Sequence, residues 1–157
     1  MKIYGRRPLT RLEAGIYGVI VAIFVTLFAT RMLAYMEAAE RATMEATVTR
    51  LMSAAGVRRA YGVLRGQADD AAGWTKRNPF ELAGFPPPNF SGEIDPLQPK
   101  PLERGSWAFD PARGELIYLP RLHSGLETSD PDGALRFRVE ISGMRYMLVP
   151  TPTYRWQ

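Results

Sequence analysis

The stretch AGIYGVIVAIFVTLFAT, residues 14–30, decides the architecture. It is uncharged and mostly apolar, with no polar face at helical spacing, and a helix apolar all round belongs in lipid or deep in a large core. Crossing a bilayer takes about 20 such residues. Leu12 extends the run on one side, and Met32, Leu33, Ala34, Tyr35 and Met36 extend it on the other. Arg31 interrupts it but can snorkel to an interface, and Tyr35 suits the headgroup level. Lys2, Arg6, Arg7 and Arg11 precede the run with no acid before Glu13. The positive-inside rule therefore expects a single-pass protein of the cytoplasmic membrane with a cytoplasmic N-terminus and an exported C-terminal domain. A cleavable signal peptide is the competing reading. It fits poorly because residues 35–65, rich in Ala, Met, Leu, Glu and Arg, continue a helical pattern after the run.

The organisation expected outward from that stretch is a basic leader-like segment (1–8), a transmembrane half-helix (9–36) and an exported domain (37–157). No proline occurs between Pro8 and Pro79, so one helix from about Leu9 to about Arg65 is permitted. It would be roughly 80 Å long. In its second half Val48, Leu51, Met52, Ala55, Arg59 and Gly62 recur at three-four spacing, and an apolar stripe through Val48, Leu51, Met52 and Ala55 is suited to packing on a sheet. Glu37 and Arg41 form an i,i+4 pair of favourable polarity. Gly66, Asp69 and Asp70 read as the helix end.

Residues 73–105 carry prolines that forbid long regular structure, yet Trp74, Phe80, Leu82, Phe85 and Phe90 are interleaved with them. The expectation is an ordered loop pinned by its rings. Ser106 to Phe109, the turn Asp110-Pro111-Ala112-Arg113-Gly114 and Glu115 to Leu119 read as a hairpin. Residues 127–133 (ETSDPDG) read as a turn. Leu135, Phe137, Val139 and Ile141 alternate with polar residues along a further strand, and residues 144–149 form the last one. The tail 151–157 is polar and aromatic. The fold class expected is α+β: a long N-terminal helix packed on a small antiparallel β-sheet.

Composition narrows the chemistry. The chain has 157 residues, a formal net charge of +4, no cysteine and one histidine. Thiolate metal sites, thiol nucleophiles, disulfides and histidine clusters are excluded. Adjacent His123 and Ser124 point apart on extended chain and have no third partner, and no glycine-rich phosphate loop occurs. No enzyme, cofactor or metal is expected. Asp130 and Asp132 could suggest a calcium loop, but Asp-Pro-Asp-Gly is ordinary turn chemistry without EF-hand spacing. Arg58, Arg59, Arg65, Arg136, Arg138 and Arg145 could form a nucleic-acid surface, although a solvated face accounts for them as well.

Leu9-Thr10-Arg11-Leu12-Glu13 running into the apolar stretch resembles the N-terminus of type IV pilins and type II secretion pseudopilins. Residues 78–82, 86–93, 105–110 and 114–118 look like the globular part of secretion-type and mannose-sensitive-haemagglutinin-type pilin-like proteins. The resemblance implies a structural subunit, a minor pilin or pseudopilin, that polymerises through its N-terminal helix. It places Glu13 in the assembly role, salt-linked to the N-terminal amine of a neighbouring subunit. Its partners would be other pilin-like subunits, the inner-membrane assembly platform, a prepilin peptidase and membrane lipid. Gly15 and Gly18 would allow close approach of neighbouring helices, or are ordinary membrane glycines. Processing would fall between Pro8 and Leu9. That family's peptidase cuts after glycine, whereas Pro8 stands at the site and Gly5 lies three residues too early. The alternative is an uncleaved bitopic accessory protein of a pilus or secretion complex, with Glu13 solvated near headgroups or paired with Arg11.

Overall fold

The computed structural model describes residues 10–66, 71–95, 97 and 100–156, with side chains for all of these except 71 and 72. Two compact units emerge, Met1–Met36 and Glu37–Gln157, and helix α1 (Arg11–Leu64) contributes to both.

In the first unit, every described residue is exposed. The helix is long and apolar enough to cross a membrane, and none of its most apolar window is buried. Its polar groups are satisfied locally: the hydroxyl of Thr26 donates to the Ala22 carbonyl at 2.8 Å, and that of Thr30 to the Leu27 carbonyl at 2.9 Å.

The second unit is α+β. From Glu37 onward the same helix becomes amphipathic, burying Glu37, Met44, Val48, Leu51, Ala55 and Arg59. Those positions recur every three, four or seven residues and so share one face. Arg59, one turn beyond the expected apolar stripe, is buried as well, with one guanidinium nitrogen donating to the Gly143 carbonyl at 2.6 Å. Gly66 ends the helix in the left-handed region at φ +72°, where a side chain would be strained.

Two short helices follow, α2 (Ala71–Lys76) and α3 (Pro79–Ala83). The sequence of α3 carries its own start and stop. The Asn78 side chain accepts from the Phe80 amide at 3.0 Å, Pro79 occupies the first turn, and Gly84 closes it at φ +78°. The segment is pinned by its rings as expected. Phe80 lies 4.9 Å from Phe90 and 5.7 Å from Trp107, centre to centre.

Among the described residues seven strands follow: β1 (Phe90–Glu93), β2 (Ser106–Asp110), β3 (Glu115–Leu119), β4 (Leu126–Thr128), β5 (Leu135–Ser142), β6 (Arg145–Pro150) and β7 (Tyr154–Trp156). The main sheet has order β1-β2-β3-β5-β6, and β4 pairs with β7 in a separate ribbon. The expected hairpin is β2–β3, with Asp110 opposite Glu115 and Trp107 opposite Tyr118. Leu135, Phe137 and Val139 are buried as their alternation predicts, while Ile141 is half-buried.

The sheet is mixed rather than antiparallel. Strand β1 runs parallel to β2, with Phe90 beside Trp107 and Glu93 beside Phe109. The connection through residues 94–105 is long enough to carry the chain back to the start of the sheet, as a tight hairpin would not. Residues 90–93, expected as loop, are thus a strand. Residues 126–128, expected partly as turn, and the tail also become strands by pairing with each other.

One core joins helix and sheet. Met44, Val48, Leu51 and Ala55 of α1 cluster with Trp107, Leu116, Tyr118, Leu135, Phe137, Val139, Tyr146, Leu148 and Trp156. The opposite face of β2 and β3 is also buried at Ala108 and Ile117.

Candidate assembly site

Glu13 sits in the first turn of α1 and is exposed. One of its carboxylate oxygens accepts from the Thr10 amide at 2.8 Å and the Thr10 hydroxyl at 3.0 Å, while the Glu13 amide donates back to that hydroxyl at 3.2 Å. This is a capping box, the reciprocal bond between an N-cap threonine and a glutamate three residues later. It satisfies orphan donors at a helix start with groups from the same turn. The Thr-x-x-Glu spacing was legible in the sequence and is the signal that a reading of Glu13 as an assembly or Arg11-paired charge passes over. Pro8 and Leu9, the expected processing pair, lie outside the described residues. Gly15 and Gly18 have nothing within 4 Å of where a Cβ would stand.

A second carboxylate site, which sequence reasoning missed, lies within Glu37–Gln157. Glu37 is buried, at 7 % exposure. One oxygen accepts from the Gly125 amide at 2.8 Å and the Trp156 indole N–H at 2.9 Å, and the other from the Ser124 hydroxyl. One turn on, Glu40 accepts from the Tyr118 hydroxyl and the Arg121 amide, both at 2.7 Å, and from the Leu122 amide at 3.1 Å. Arg41 completes the clasp by donating to the Trp156 carbonyl. Two glutamates of one helix thus take up N–H and O–H groups of β3, of the β3–β4 connection and of β7.

Electrostatics follow the contacts. Burial alone would raise the Glu37 carboxyl, but the bonds from Ser124, Gly125 and Trp156, with the His123 charge, outweigh it and hold the group below its ordinary value. Tyr118 is pushed well up, first by burial and then by its bond to Glu40 and that group's charge. The expected pairing of Glu37 with Arg41 is not formed. Glu37 turns to Ser124, Gly125 and Trp156, and Arg41 lies 3.8 Å from Glu45 instead.

The other singled-out residues take structural partners. Asp130 bonds Arg136 at 2.6 Å and accepts from the Asp132 and Ala134 amides at 3.0 and 3.2 Å. Asp132 reaches the same guanidinium at 3.4 Å. Burial would raise the Asp130 carboxyl, yet the Arg136 bond and the two amides hold it low. The pair therefore closes a turn around an arginine. Arg138 bonds Glu115, its neighbour across the strands, at 2.7 Å, and Arg58 donates to the Leu82 carbonyl at 3.1 Å. With Arg59 and Arg136 these side chains are tied into the fold, which leaves Arg65 and Arg145 of the suggested basic surface without such a tie among the described residues. Ser124 donates to Glu37, while His123 lies 3.4 Å from an Arg104 nitrogen. The two side chains turn to different partners and form no nucleophile–base pair. Among the described residues no group of three His, Asp or Glu could hold a metal ion. No protein-family model, curated protein or solved structure matches this chain.

Proposed function

We propose that this chain is a pilin-like structural subunit, a minor component of a type IV filament or a type II secretion pseudopilus, and that it does no chemistry of its own. The observation that carries the reading is a helix start apolar on all sides and wholly exposed over residues 14–30. It belongs to the same helix that goes on to bury one face in an α+β unit. An apolar surface of that extent needs lipid or neighbouring helices around it. In this reading the helix anchors the subunit in the inner membrane, with its basic end in the cytoplasm. It then passes into a fibre core with other pilin-like subunits at an inner-membrane assembly platform, and the exported unit makes the lateral contacts.

The capping box favours a second reading. Because Thr10 already satisfies Glu13, the carboxylate needs no amine from a neighbour, and Pro8 stands where the peptidase of such systems expects glycine. An uncleaved bitopic accessory protein would carry the same helix and stay in the membrane.

N-terminal sequencing and intact mass of protein from native membranes separate the two. A chain beginning at Leu9 supports the filament subunit, and a chain retaining residues 1–8 overturns it in favour of the accessory protein. Glu13→Gln adds an independent test, since glutamine preserves the capping box while removing the charge. Incorporation into filaments is expected to fail if the charge meets a neighbour's amine, with helix content unchanged. Normal incorporation of Glu13→Gln would refute the assembly role of Glu13.

A further inference from the structure

The outer face of α1 between Thr49 and Arg65 does not look like an ordinary solvated helix face. Opposite the buried stripe of Leu51, Ala55 and Arg59, it exposes Val57 at 56 % and Tyr61 at 61 %. Scattered exposed apolar residues are normal on any protein. Here they line one shallow, open groove of about 700 Å³, with Ala54 beside them and Phe85, from the segment after α3, contributing to the lining. Arg50, Arg58 and Arg65 line it too, and no carboxylate does so among the described residues. Two of the three guanidinium groups are held in place. That of Arg50 lies 5.4 Å from the centre of the Phe85 ring, and Arg58 bonds the Leu82 carbonyl. The three arginines stand eight and seven residues apart, which is roughly 12 and 10 Å along a helix axis. An apolar floor with cations at that interval fits a ligand in the form of a helix, whose own seven-residue repeat of about 10.5 Å presents side chains in register.

We propose that this groove docks an acidic amphipathic helix of a partner protein, with carboxylates repeating every seven to eight residues beside an apolar stripe. The stripe would lie on Ala54, Val57 and Tyr61, and the carboxylates would meet Arg50, Arg58 and Arg65. The spacing of the cations favours this occupant over a lipid surface, which would require no fixed interval. The groove lies wholly within Glu37–Gln157, so the proposal stands whether or not the chain enters a filament.

The chain has no cysteine, so Val57→Cys accepts a single environment-sensitive fluorophore in the full-length protein in detergent micelles. Three helical peptides of about 21 residues, six turns, serve as probes. One carries glutamates at seven-residue spacing beside a leucine stripe, one has the same composition with its glutamates clustered, and one has lysine in place of glutamate. The spaced peptide is expected to shift the emission to the blue and to bind about tenfold tighter than either control, more weakly as salt rises. Tyr61→Ala and Arg65→Glu, both at exposed positions, are expected to lower its affinity about fivefold or more without moving the unfolding midpoint. Equal binding of all three peptides overturns the proposal. So does a blue shift that grows with protein concentration alone, which would mark a second copy as the occupant. A blue shift on transfer from neutral to anionic lipid nanodiscs without peptide would mark a lipid surface and overturn it equally.

Discussion

Replacing Glu37 by alanine removes the acceptor of three hydrogen bonds at once, and their unequal exposure sets the cost. Bonds to a charged group contribute about 1.5–3 kcal/mol each, but only where a donor is left without water does the full loss register. Ser124 is exposed and Gly125 half-buried, so both can bond to solvent. Trp156 is 6 % exposed, and its indole N–H would be stranded. One lost charged bond plus one stranded donor, less the relief of no longer burying a carboxylate, comes to about 3 kcal/mol. That is a large share of the roughly 5–15 kcal/mol that holds a domain. Glu37→Gln keeps a carbonyl oxygen for Gly125 and Trp156 and should cost about 1 kcal/mol. The assay is urea unfolding of the detergent-solubilised chain followed by tryptophan fluorescence, with hydrogen exchange of the Trp156 indole as the local readout. The acid dependence has a definite sign. The Glu37 carboxyl in the fold lies below its ordinary 4.5, so its contribution is whole above about pH 4.5 and is lost as pH falls through the folded value. Wild type should therefore lose stability below pH 4.5 more steeply than Glu37→Gln, with the Asp130 background common to both. An alanine variant within 0.5 kcal/mol of wild type, its indole still protected, would refute the reasoning.

Two simpler expectations concern the core. Leu51→Ala, at a position with no exposure beneath the sheet, should cost about 2–5 kcal/mol in the same unfolding assay. Tyr146→Phe should instead raise the midpoint by an amount equivalent to about 1 kcal/mol, because the Tyr146 hydroxyl is buried with no hydrogen-bond partner among the described residues.

What the sequence disclosed was what local spacing encodes. The alternation of Leu135, Phe137 and Val139 specified a strand and its buried face, and Asp110 to Gly114 specified a turn. Met44, Val48, Leu51 and Ala55 belong to a stripe that three-four spacing reveals, and Met44 extends it one turn earlier than expected. Strands β1, β4 and β7 were hidden because each is three or four residues long and owes its conformation to a distant partner. Nothing in Phe90-Ser91-Gly92-Glu93 announces a parallel neighbour at Trp107. The glutamate clasp was hidden for the same reason. Glu37 and Glu40 look like solvated helix charges until residues 78–119 positions away supply the donors. The Thr10–Glu13 box was the reverse case, fully local and readable from spacing.

The sequence distance spanned by that clasp also bears on the order in which the exported unit is built. Loop-closure entropy grows as the logarithm of length, so joining Glu37 to Trp156 costs only about 1.4 kcal/mol more than a contact across 24 residues. Contacts that need such closure nevertheless wait for shorter ones to form. On that ground the β2–β3 and β5–β6 hairpins, which close locally, are expected to form first and the clasp last. Bonds made after the rate-limiting step leave the folding rate almost unchanged and retard escape from the native state. Substitutions at Glu37 and Glu40 are then expected to act chiefly on the lifetime of the folded domain, shortening the interval before it opens to proteases while leaving the folding rate almost unchanged.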